Sequence, residues 1–93
     1  MRCMTYKIAF NRAYIKDLKR IPVDAQKQIR EKIATLAVNP RPEGCKKLRG
    51  SFYPPLFRIR CGDYRIVYSV DDGVLLILVI DVDHRSEIYK NIV

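Results

Sequence analysis

The stretch FRIRCGDYRIVY, residues 57–68, decides how the rest of the chain is read. Two runs of alternating apolar and polar residues flank Gly62 and Asp63, a pair suited to a two-residue hairpin loop. Such a turn sets Cys61 opposite Tyr64, Arg60 opposite Arg65, Ile59 opposite Ile66 and Arg58 opposite Val67. Like charges directly opposite one another weaken a strand pair. Facing guanidinium groups raise the free energy least when an anion lies between them, and a phosphate there would accept charge-assisted hydrogen bonds from both. An exposed face from which the arginine stems splay into water satisfies the same pattern.

Working outward, Asp72-Gly73 is the signal for a second two-residue hairpin. Strands are expected at about 56–61, 64–71 and 74–82. The second turn sets Val70 opposite Leu75, Tyr68 opposite Ile77, Ile66 opposite Val79 and Arg65 opposite Ile80. Period-two alternation puts Phe57, Ile59, Cys61, Tyr64, Ile66, Tyr68, Leu75, Ile77 and Val79 on one side of the sheet. Leu56, Arg58, Arg60, Arg65, Val67, Leu76, Leu78 and Ile80 share the other. The run VLLILVI, residues 74–80, is apolar on both sides, so it belongs inside the sheet with cover over each face.

Upstream, TYKIAF alternates as a first strand at about 5–10. Asn11 then caps a helix whose apolar positions Tyr14, Leu18 and Ile21 fall on one side. Pro22 ends that helix and opens the next. The second helix, roughly 23–38, turns Ala25, Ile29, Ile33, Leu36 and Ala37 inward and stops before Asn39-Pro40. Residues 39–55 hold most of the backbone breakers and read as a loop, while HRSEIYKNIV at the end reads as a short helix or a tail. The expected fold is α+β: an N-terminal strand, a helical hairpin, then antiparallel strands in one twisted sheet with the helices on one face.

The chain has 93 residues, of which 48% are hydrophobic and 30% charged, as expected for a single folded domain over 1–93. Its longest apolar run is too short to cross a bilayer, and its N-terminus lacks a secretory h-region, so a cytosolic protein without membrane contact is expected. Cys3, Cys45 and Cys61 have no CxxC spacing and only one histidine in the chain to join them, which argues for reduced thiols and against a zinc site; no cofactor is called for. The net charge is +8, and it is uneven. Residues 41–65 carry seven Lys or Arg against two acidic residues, whereas residues 66–93 carry two against five. A clustered basic excess favours a polyanionic partner, either nucleic acid or an acidic protein.

Three segments, KKLRG (46–50), FRIRCGDYRIVYSV (57–70) and HRSEIY (84–89), occur in this order around the same arrangement of strands and helices. Together they resemble the RelE/ParE superfamily of toxins, and most closely its RelE branch of ribosome-dependent mRNA interferases. The resemblance implies a toxin of a type II toxin–antitoxin system. Such a toxin enters the ribosomal A site and cleaves mRNA without a metal, using the RNA 2′-hydroxyl as nucleophile. It also implies a small acidic, RelB-like antitoxin as partner.

By the same resemblance the catalytic positions fall on Arg58, Arg60, Arg65, Arg85 and Tyr89, with Lys46, Lys47 and Arg49 contacting RNA backbone. Arg60 and Arg65 would clamp the scissile phosphate, with Arg85 approaching from the strand end. Tyr89 would stack on a base or assist proton transfer; an apolar ring closing the core is the alternative. Some relatives carry lysines where Arg58 and Arg60 stand here. Arginine keeps its proton, so Arg58 is better cast as an electrostatic stabiliser than as a base. His84, the only histidine, becomes a candidate general base or acid, set against the plainer reading of a surface residue beginning a turn. The rival function is a ParE-like inhibitor that binds DNA gyrase and cuts no RNA.

Overall fold

The computed structural model describes residues 5–48, 50 and 54–84. Strand β1 (Lys7–Phe10) leads into helix α1 (Arg12–Leu18), then α2 (Val23–Val38) and the two-residue strand β2 (Lys46–Lys47). Strands β3 (Leu56–Cys61), β4 (Tyr64–Asp71) and β5 (Leu76–His84) follow. All five strands form one sheet in the order β1-β5-β4-β3-β2. The pairings are antiparallel except β1 with β5, which is parallel. The expected α+β architecture is thus observed, with β5 inside the sheet, as its apolar run requires.

Local chemistry explains the helix ends. Asn11 stays extended, and its side-chain oxygen accepts from the Arg12 N–H at 2.7 Å. Its own N–H donates to the Val79 carbonyl, which ties the start of α1 to β5. Gln26 then joins the two helices: its Nε2 donates to the carbonyls of Leu18 and Ile21 at 2.9 and 2.7 Å. The two carbonyls lie at the end of α1 and just past it, where Leu18 also accepts from the Ile21 N–H at 3.1 Å. Pro22 sits at the N-cap of α2 with φ −54°, and its carbonyl accepts from the Gln26 N–H.

One side of the sheet and the inward faces of both helices form the core. Tyr14, Ile29, Ile33 and Leu36 meet Phe57, Ile59, Ile66, Tyr68, Val70, Ile77, Val79 and Val82 there. Each fully buried Ile or Val contributes roughly 1.5–3 kcal/mol from leaving water. The buried Tyr68 hydroxyl is satisfied by donating to the Pro40 carbonyl at 2.8 Å.

The β3–β4 register is the expected one, including Arg60 opposite Arg65, and Gly62 takes a positive φ of 60° in the turn. The β4–β5 register differs from expectation. Asp71 pairs with Leu76 and Tyr68 with Val79, so the loop is four residues, Asp72 to Leu75, rather than two. The cause is the Asp71 side chain, whose Oδ1 accepts from the N–H groups of Gly73 and Val74 and builds a wider turn. Leu75 closes it at a φ of 52°, held by the Lys7 N–H donating to its carbonyl. A β-bulge then places Val67 opposite Asp81, one residue further on. Beyond it Ile66 faces Val82 rather than Val79, and Arg65 faces Asp83 rather than Ile80. β2 is a further correction: it lies inside the segment expected to be loop.

Candidate functional site

The face of β3 and β4 turned away from the core carries the arginines. Arg58 and Arg60 are two residues apart on β3 and therefore project to the same side. Arg65, the second residue of β4, lies opposite Arg60, and Lys46 on β2 is in register with Arg58. Side chains in direct register have their Cβ atoms about 4.5–5.5 Å apart, so four cations from three strands share one small area. With Gly44 and Ile59 they line a cleft of about 380 Å³. That is the lower part of the size range of small-ligand sites, roughly 300–1,000 Å³.

The charges are unevenly compensated. Across the sheet the row that begins Arg60, Arg65 continues to Asp83 on β5, because the bulge has moved that acid into register. The neighbouring row runs Lys46, Arg58, Val67, Asp81. Negative charge therefore lines the β5 side, and the β2–β3 side is wholly basic. Among the described residues neither Arg58 nor Arg60 takes part in an ion pair. A planar guanidinium offers several donors in a fixed fork, so Arg58 and Arg60 are suited to grip a tetrahedral oxyanion from two directions.

Arg58, Arg60, Arg65 and Lys46 are thus brought together. Lys47 is in register with Phe57 and alternates to the other side of the sheet, away from the cleft lining. His84 is the last residue of β5, opposite Tyr64, and its side chain lies outside the described residues, as do Arg49, Arg85 and Tyr89. Cys45 and Cys61 are free, half-buried thiols, and burial pushes the Cys61 thiol above its ordinary range. Gly44 was not anticipated. Its φ of 94° lets the chain turn into β2 beside the cleft, and the sequence signal for it is the Pro42-Glu43-Gly44 breaker run.

The chain can be compared with known proteins on this footing. The family model described as the ParE toxin of type II toxin–antitoxin systems, parDE, matches residues 8–89. The mRNA interferase toxin RelE of Escherichia coli is 30% identical over 92 residues, covering 97% of this chain and 96% of the relative. The toxin RelE of Mycobacterium tuberculosis is 34% identical over 94 residues, covering 91% and 87%. Among solved structures, the archaeal RelE–RelB complex from Pyrococcus horikoshii superposes with a TM-score of 0.78 at 29% identity, covering 88% of this chain and 97% of that one. With a family match spanning most of its length, and relatives aligned nearly end to end, the chain belongs to the RelE/ParE family, the toxins of type II toxin–antitoxin systems.

Proposed function

We propose that the protein is a ribosome-dependent endoribonuclease that cleaves mRNA and so arrests translation. The observation that carries this reading is the convergence of Arg58, Arg60, Arg65 and Lys46 on one cleft, with Arg60 and Arg65 in direct register. That arrangement costs stability in the empty protein, and a bound phosphodiester would offset the cost. The name of the Escherichia coli relative, an mRNA interferase, supports the same reading.

The chemistry is transesterification. The 2′-oxygen of the ribose attacks the adjacent phosphorus, and the bond from phosphorus to the 5′-oxygen breaks. One proton leaves the 2′-hydroxyl and one reaches the departing 5′-oxygen, leaving a cyclic phosphate and a free 5′-hydroxyl. Arg60 and Arg65 hold the non-bridging oxygens as negative charge builds, and Arg58 stabilises the phosphorane from β3. Arg58 stays protonated, so the proton is taken by another group. His84 is assigned that role, Arg85 a second contact to the phosphate, and Tyr89 stacking or proton transfer. Lys46, Lys47 and Arg49 are assigned to RNA backbone. No step is assigned to a metal.

The partner proposed for regulation is an acidic, RelB-like antitoxin that covers Arg60, Arg65 and the C-terminal segment, in keeping with the complex solved for the archaeal relative. A charge of +8 on 93 residues would attract such a chain from a distance. The deciding experiment maps the ends of a translated mRNA by primer extension after induction of the protein, beside its Arg65→Ala variant. Cuts within codons that vanish in the variant are expected. Growth arrest with intact mRNA and reduced DNA supercoiling would instead favour gyrase inhibition and end the nuclease reading.

A further inference from the structure

A polar cluster at the end of β4 opposite the Gly62-Asp63 turn ties three segments that are distant in sequence. Asp72, in the β4–β5 loop, accepts from the Tyr6 hydroxyl through Oδ1 at 2.6 Å. Its other oxygen takes the Arg41 guanidinium in an ion pair. Arg41 also lies over the Phe57 ring, 5.6 Å from its centre. Both hydrogen bonds hold the Asp72 carboxyl below its ordinary range, that of Tyr6 contributing most. Asp71-Asp72-Gly73 divides the work: the Asp71 carboxylate accepts from the Gly73 and Val74 N–H groups and builds the turn, while the Asp72 carboxylate takes Tyr6 and Arg41.

Arg41 belongs to the same short segment as Gly44 and Lys46, which wall the cleft. The segment has other fastenings, from the Tyr68 hydroxyl to the Pro40 carbonyl and from the Cys45 N–H to the Pro42 carbonyl. Among the described residues its β-pairing is the two-residue β2, with one more backbone bond from the Leu48 N–H to the Leu56 carbonyl. A strand that short gives little independent hold on register. We propose that Arg41, Asp72 and Tyr6 form a clamp that positions the segment carrying Lys46, and so sets one wall of the RNA cleft without touching RNA.

The inference rests on the cleft being where RNA binds. It makes a prediction opposite in sign to that of simple charge. Asp72→Asn removes a negative charge from the protein, which by itself strengthens attraction for a polyanion. A lost clamp weakens it. The test measures affinity for ribosomes programmed with an mRNA carrying 2′-deoxy substitutions that block cleavage, together with amide hydrogen exchange across residues 42–48. Asp72→Asn and Arg41→Met, which keeps an apolar stem over Phe57, are expected to weaken binding by about twofold to fivefold, the upper part of what a single exposed ion pair supplies. Tyr6→Phe loses less, and Arg41→Lys restores part. Exchange rises in 42–48 and at the β3 amides paired to β2, and not in β4. Asp72→Asn adds little on top of Lys46→Ala, because both remove the same contact.

Equal or tighter binding by Asp72→Asn overturns the clamp, and so does unchanged exchange in 42–48. Full additivity with Lys46→Ala would also overturn it. Failure of the unaltered chain to bind would strike the reading of the cleft instead. The exchange data would then still decide whether Asp72 holds the segment.

Discussion

Arg65 and Ile66 are neighbours on β4, yet they belong to opposite kinds of surface. Ile66 points into the core, where its register neighbours are Ile59 and Val82 and its exposure is zero. Arg65 points to a face where its register neighbours are Arg60 on one side and Asp83 on the other. The first face is optimised for folding; the second carries like charges in register, which folding alone does not favour. The same two strands thus spend stability on one side that they gain on the other, and the sign of a substitution's effect should reverse within a single residue.

The largest expected effect is on activity from the basic face. Arg60→Ala should lower the rate of mRNA cleavage by about 10²–10³, the usual cost of removing one donor from a developing oxyanion, while the protein still folds. Single-turnover cleavage on programmed ribosomes checks it, and an undiminished rate would break the contrast between the faces. On the opposite face Ile66→Ala should cost about 2–5 kcal/mol, through lost burial and the cavity left behind. Urea unfolding measures this directly. A loss below that range would show that the core can collapse around the gap.

A smaller effect sharpens the comparison. Arg60→Thr should stabilise the empty protein by roughly 0.2–1 kcal/mol, because it removes a like-charge pair in direct register. Inorganic phosphate should then raise the melting temperature of the unaltered chain more than that of the variant. A variant less stable than its parent in the absence of phosphate would mean that Arg60 serves the fold.

The smallest effect concerns the acidic end of β5. Asp17, Asp81 and Asp83 bring carboxylate oxygens within 4.8 Å of one another. A hydrogen bond with Asp81, then burial, then the Asp81 charge raise the Asp17 carboxyl to about 6, against the pull of Arg20 and Lys16. A raised carboxyl binds its proton more tightly in the folded state. The stability it gives is present at low pH and is lost as pH climbs through about 6. Asp17→Asn should flatten that decline and leave the protein more stable than its parent at neutral pH. Unfolding midpoints between pH 4 and 8 check the slope, and parallel curves would contradict it.

The sequence showed some of this and hid the rest for identifiable reasons. The β3–β4 hairpin was legible because Gly62-Asp63 is a local turn signal and the alternation on both sides is unbroken. Asn11, Pro22 at the start of α2 and the span of α2 were legible for the same reason, since caps and breakers act on adjacent residues, whereas α1 stops at Leu18, short of the Ile21 and Pro22 expected to end it. The β4–β5 register was not, because Asp71 serves its own turn through its side chain and nothing in an apolar run marks Ile80 as the residue displaced by a bulge. The parallel partner of β1 lies some seventy residues away along the chain, beyond the reach of any local pattern. At the cleft, Arg58, Arg60, Arg65 and Lys46 were visible as charge. Gly44 was hidden among breakers, and the tie from Arg41 to Asp72 joins residues that no spacing rule connects.

The strand order has a consequence for synthesis. β1 is made first, but its partner β5 is made last, so the sheet closes only after almost all of the chain has emerged. Until then the edge of β4 that β5 will cover lies open, and the arginine rows lack the acids opposite them. Pairing across such a separation is slow to form. A nascent copy cut short before β5 would therefore carry the basic residues without the strand that aligns them.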